Sequence, residues 1–213
     1  MNKKYCSLLT DYQLAMKIVP FPQLTLALPE EAVAGFASLL QHGILYAVDQ
    51  PVAILPFLLT LPGFTSEYIE KTVQTIFIDG VAADSLDRSL TAGSTLALSA
   101  AMPGLAGAIF RRQGLHGSLR SQPAAKVATN PSASGFITLK LFNSIATDRV
   151  RDLLIQGICI SGKALHDFAA RREHLFQPPV GLSYAGQALD SADLLGVAAG
   201  VPVLMVEARL MPE

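Results

Sequence analysis

A chain of 213 residues, 51% hydrophobic and 15% charged, carries enough apolar surface for a packed core, which excludes a disordered protein. Two cysteines, Cys6 and Cys159, with no Cys-x-x-Cys pair, exclude a disulfide scaffold and a cysteine-rich zinc site and point to a reducing cytoplasm. A net charge of −1, 7% aromatic residues and no tryptophan argue against nucleic acid as the partner.

The mean hydropathy of +0.40 is high for a soluble monomer and suggests a deeply buried sheet or a homo-oligomer. Uncharged windows at 32–48, 50–66 and 89–110 approach the length of a membrane span, about 20 residues. Pro51, Pro56, Pro62 and Pro103 break the second and third, and Ser, Thr, Ala and Gly dilute the third. A buried core is expected rather than a membrane segment, and the N-terminus shows no signal peptide.

In chain order, 24–28 reads as a strand. Pro29-Glu30-Glu31 opens a helix with proline first and acids against the positive end of the dipole. Val33, Phe36, Ala37 and Leu40 take α-helical spacing, and Gly43 ends the helix. Ile44–Val48 is a second strand. Over 52–61, length and leucines favour a helix, but Pro56 forbids an uninterrupted one, so it is kinked or begins there. Residues 73–78 read as a strand, followed by Asp79-Gly80, a pair suited to a tight hairpin. Ala92-Gly93 turns the chain into the strand Thr95–Ser99. Residues 100–135, rich in Ala, Gly, Ser and Pro, read as an irregular connection. Alternation at 136–142 sets Ile137, Leu139 and Leu141 on one face, with Lys140 opposite. Asp148 is placed to cap a helix containing Val150, Leu153 and Leu154. A short strand follows at 158–160. Ser161-Gly162 opens a helix burying Leu165, Phe168 and Ala169. Gln177-Pro178-Pro179 breaks the chain, Ser191 caps a helix ended by Gly200, and Val203–Leu210 is a closing strand.

Within this order lie an apolar segment at 53–61, Pro62-Gly63, the strand Thr75-Ile76-Phe77-Ile78 with Asp79-Gly80, then Leu90-Thr91-Ala92-Gly93 and a strand reaching Met102-Pro103-Gly104-Leu105-Ala106-Gly107. Over 52–107 it resembles the β-grasp sulfur carriers of molybdopterin and thiamine synthesis. The resemblance implies a ubiquitin-like fold there. A carrier ends in a free diglycine, whereas this chain runs on for about a hundred residues, so sulfur transfer is not implied. The expected class is α/β (α+β): a β-grasp-like mixed sheet with helices over 1–110, a connection at 111–135, and a second α/β unit over 136–213, with one fused domain as the alternative.

The sharpest electrostatic feature is an acid-free run between Asp87 and Asp148 that holds Arg88, Arg111, Arg112, Arg120, Lys126, Lys140 and His116. Guanidinium groups bind carboxylate and phosphate bidentately. Arg111, Arg112, Arg120 and Lys126 are therefore the candidate ligand-binding residues; the plainer alternative is solvated loop charge. His42, His166 and His174 show no metal-ligand spacing, and His116 is the candidate for acid–base work because it lies in the basic run. Ser99, Ser134 and Ser161 lack a nucleophile elbow, and no phosphate loop or dinucleotide fingerprint assigns a cofactor. The expected function is a module binding a small anionic ligand or an acidic protein partner. The alternative is an enzyme acting on a small anionic substrate, with His116 or Asp79 assisting.

Overall fold

Leucines at every second position make Gln23–Leu28 a strand, β1, with Leu24, Leu26 and Leu28 fully buried. Pro29, extended, leads into a helix at Glu30–Gln41 that is 3-10 along its length. The expected α-helical spacing is corrected here. Val33, Phe36 and Leu39, three apart as in a 3-10 repeat, are buried together with Leu40, while Ala37 is only half-buried. Gly43, at φ 114, turns the chain into β2, Ile44–Val48. These coordinates are those of a computed structural model, which describes residues 21–114 and 134–212. Residues 46–145 form one compact unit, and residues 21–45 with 146–212 form another.

In the first unit, β3 (Val52–Ala53) leads directly into α1 (Ile54–Leu58). Pro56 stands at the third helical position, where a backbone N–H has no intrahelical acceptor in any case. The free N–H groups of Ile54 and Leu55 donate instead to the carbonyls of Arg88 and Leu86, at 3.1 and 3.0 Å. A second helix, α2 (Ser66–Thr72), occupies a stretch to which the sequence reading assigns no element. Thr65 caps it by accepting from Tyr68 N–H at 3.1 Å. Strands β4 (Thr75–Ile78) and β5 (Val81–Ala82) pair across a two-residue turn, with Ile78 opposite Val81. Asp79 and Gly80, at φ 52 and 80, take the left-handed pair that this hairpin needs. β6 (Ser89–Leu90) pairs with β3. β7 (Thr95–Ser99) runs antiparallel to β4 and parallel to β8 (Gly135–Phe142).

Between β7 and β8 the irregular reading of 100–135 is corrected in part, because Gly104–Phe110 forms a helix, α3. Low-complexity Ala and Gly conceal it in the sequence. A Cβ on Gly107 would lie 1.8 Å from the Met102 carbonyl oxygen, so only glycine fits that approach. Residues 115–133 lie outside the description.

The helix α4 (Ser144–Gln156), most of it in the second unit, starts five residues earlier than an Asp148 cap would set it, so Asp148 lies inside the helix and is not its cap. Its Val150, Leu153 and Leu154 are buried, and Arg151 Nε donates to Glu30 at 2.7 Å. β9 (Ile158–Ser161) feeds α5 (Gly162–Arg171), capped by Ser161 accepting from Ala164 N–H at 3.1 Å. Phe168 packs with Phe36 and Phe176, ring centres 5.9 Å apart in each pair. The hairpin β10 (Gly181–Tyr184) and β11 (Gln187–Ala188) is not anticipated by the sequence. Its turn, Ala185-Gly186 at φ 48 and 82, puts alanine where Asn or Asp usually signals the bend. Asp190, in place of Ser191, caps a 3-10 turn at Ser191–Asp193 that leads into α6 (Leu194–Gly200). β12 (Val203–Leu210) lies between β1, to which it is parallel, and β9.

The expected α/β class holds, with parallel and antiparallel pairs mixed in the sheet. No helix among the described residues is long and apolar enough to cross a membrane. Two glycines test the packing. A Cβ on Gly162 would fall 2.0 Å from the Val201 carbonyl oxygen and 2.2 Å from that of Ala198, whereas one on Gly196 meets nothing within 4 Å. Chemical denaturation should show Gly162→Ala losing about 1–3 kcal/mol and Gly196→Ala gaining up to about 1 kcal/mol from helix propensity.

Candidate functional site

Successive strand residues face opposite ways, so β7 is divided between two environments. Leu96 and Leu98 are fully buried, with Ile76, Leu139 and Leu141 of the neighbouring strands. Thr95, Ala97 and Ser99 face the other side. On that side Ala97 stands opposite Phe77 of β4, and Ser99 stands beside Phe142 of β8. The small side chains of β7 thus leave a furrow between two phenyl rings. Met102 and Asn143 complete a half-open cavity of about 540 Å³, within the usual range for small-molecule sites, roughly 300–1,000 Å³. Phe110 of α3 holds Phe77 in place with ring centres 5.3 Å apart.

The polar groups of this cavity are few. Asn143 sits at φ 54, a left-handed conformation that asparagine tolerates better than most residues. From there its Nδ2 donates to Ser99 Oγ at 2.7 Å. Ser99 is 6% exposed. Asp79, once a candidate acid, is engaged in structure: its Oδ1 accepts from Thr95 N–H at 2.7 Å, tying the hairpin turn to β7. Thr75, opposite Ser99, is 1% exposed, and its hydroxyl has no hydrogen-bond partner among the described residues.

The arginines lie elsewhere in the same unit. Arg111 is exposed and its Nε donates to Gln74 Oε1 at 2.8 Å. Arg112 N–H donates to the Gln74 carbonyl at 2.7 Å. Its side chain lines a shallow depression of about 320 Å³ with Ser85, Gln113, Asp84 and Asp87. Asp84 accepts from Gln113 N–H at 3.0 Å, and two carboxylates there offset the guanidinium charge. Arg120, Lys126 and His116 lie outside the described residues. Lys140 is half-buried on the same sheet face as Ala97.

In the other unit, Lys163, His166 and Asp167 share a depression with Ser161 and Pro202. The Lys163 hydrogen bond, and to a smaller extent His166, holds the Asp167 carboxyl below its usual range. These are surface charges on one helix face. His42 packs edge-on against Phe168, ring centres 6.1 Å apart. Cys159 is buried and burial pushes its thiol up, away from the reactive thiolate. Among the described residues no three His, Cys, Asp or Glu side chains are grouped to hold a metal ion.

Comparison with protein-family models, curated proteins and solved structures gives no match.

Sequence reasoning passes over Phe77, Ala97, Phe142 and Asn143. The available signal is the alternation Thr-Leu-Ala-Leu-Ser at 95–99, which marks one face of a central strand as small and polar. Register with the two phenylalanines is what converts that face into a furrow, and register is not written locally. Thr75 offers a test of the local polarity. Replacing a buried, unpaired hydroxyl with a methyl of the same shape is near neutral or stabilising. Thermal denaturation of Thr75→Val should therefore show an unchanged or higher Tm; a loss of more than about 1 kcal/mol would mean that the hydroxyl is satisfied.

Proposed function

We propose that this protein is a binding module whose 46–145 unit takes a small, mainly apolar molecule between Phe77 and Phe142. The observation that carries the reading is the furrow over Ala97: apolar walls, a few hydrogen-bonding groups at one end, and room for a ligand. Ligand sites are commonly built this way. The aromatic faces supply contact area at low conformational cost, and Ser99 and Asn143 supply orientation.

The same reading keeps the β-grasp resemblance for this unit. The order of α1, β4, the Asp-Gly turn and β7 supports it, although Met102–Gly107 leads into α3 and not into a free tail. It also keeps association with a second copy, supported by the exposed Leu105 side chain.

A second reading, an anion site, is favoured by one observation: Arg112 Nη1 is buried with no hydrogen-bond partner among the described residues. Sulfate, phosphate or a carboxylate would satisfy it. On that reading these anions raise the Tm of the wild type but not of Arg111→Ala/Arg112→Ala, and equal shifts in both proteins remove it.

The cavity reading is tested by filling the furrow. Saturation-transfer NMR with naphthalene should give a signal on the wild type, and Ala97→Phe, which fills the space, should lose at least tenfold in affinity, about 1.4 kcal/mol. Equal signals from the two proteins would place naphthalene outside the furrow and remove the reading.

A further inference from the structure

The Ser99 hydroxyl has one proton to donate and lone pairs to accept with. Asn143 Nδ2 occupies the accepting side at 2.7 Å, and among the described residues no acceptor takes the proton. Asn143 is exposed, so water reaches its amide, but Ser99 is 94% buried (6% exposed) and lines the cavity. A buried donor without an acceptor costs about 1–3 kcal/mol, and structures rarely leave one without reason. Here the asparagine fixes the hydroxyl oxygen from one side and leaves its proton for the space between the phenyl rings.

We infer that the ligand of this cavity carries a neutral oxygen acceptor, a carbonyl, ester or ether, which receives the Ser99 proton while an aromatic or branched apolar body lies against Phe77, Met102 and Phe142. The inference rests on the cavity reading above. Neutrality follows from the lining: among the described residues that line the cavity there is no Lys, Arg or His, Lys140 standing beside Ala97 but outside that lining, and an uncompensated carboxylate would be expensive to desolvate there. Among the described residues, Thr95 carries the other hydroxyl of the lining, and across the strand pair from Ser99 stands a further candidate acceptor, Thr75 Oγ1. It lies outside hydrogen-bond reach and outside the lining.

The test compares two probes of nearly equal shape, acetophenone and α-methylstyrene, in which C=CH2 replaces C=O. Dissociation constants are measured by NMR titration on the folded full-length protein. The wild type should bind acetophenone about three- to tenfold more tightly, the value of one hydrogen bond. Thr75→Val should keep that preference, and Ser99→Ala, its fold checked by its melting curve, should lose it. Equal affinity of the wild type for both probes overturns the acceptor inference and leaves the cavity reading standing; this would follow if Asn143 turned its carbonyl toward Ser99. Failure of both probes, and of naphthalene, to bind overturns the two together. The wild-type comparison needs no variant, so a Ser99→Ala protein that fails to fold does not remove the test.

Discussion

Strand β7 is flanked on both sides, by β4 and β8, and its side chains must serve two environments at a spacing of two residues. Leu96 and Leu98 have no exposure at all, and burying each contributes about 1.5–3 kcal/mol. That contribution pins the register, because a slip of one residue would send both leucines to the other face and bring Thr95, Ala97 and Ser99 into the core. Once the leucines are fixed, the small residues are fixed too, and with them the furrow between Phe77 and Phe142. The candidate site is thus a consequence of core packing on the reverse of the same strand.

The hairpin turn and α3 reinforce that arrangement. Asp79 reaches from the turn to the first residue of β7, so β4 and β7 are held by a side chain as well as by their ladder. Past β7, Gly107 lets α3 lie against the Met102 carbonyl, and Phe110 reaches Phe77. One wall of the furrow is therefore braced by a helix whose sequence, Gly-Leu-Ala-Gly-Ala-Ile-Phe, shows no helical stripe of polar and apolar residues.

Much of the fold was legible because its signals are local. The Asp79-Gly80 turn, the Ser161 cap and the alternating leucines of β8 each depend on a few neighbouring residues. The failures have physical causes. The buried residues of the helix at Glu30–Gln41, Val33, Phe36, Leu39 and Leu40, fit a three-residue repeat and an α-helical one almost equally well, so the sequence does not separate the two. Asp148 and Ser191 are good cap residues off the capping position, one inside a helix and the other the first residue of a 3-10 turn. The Ala185-Gly186 turn lacks the usual residue because the pairing of β10 with β1 stabilises it from outside the turn. The site was less legible still. The charge run singled out Arg111 and Arg112, which the fold directs to Gln74 and to a depression shared with carboxylates. Ser99 and Asn143 are 44 residues apart and meet only because β7 and β8 run parallel.

The central claim is that the space over Ala97 is an apolar cavity held open by the strand register. Xenon enters dry apolar cavities and makes no hydrogen bonds, so a crystal structure under xenon pressure measures that claim directly. A xenon atom between Phe77 and Phe142, in contact with Ala97, is the predicted result. Phenyl rings closed onto Ala97, with no xenon between them, would contradict it.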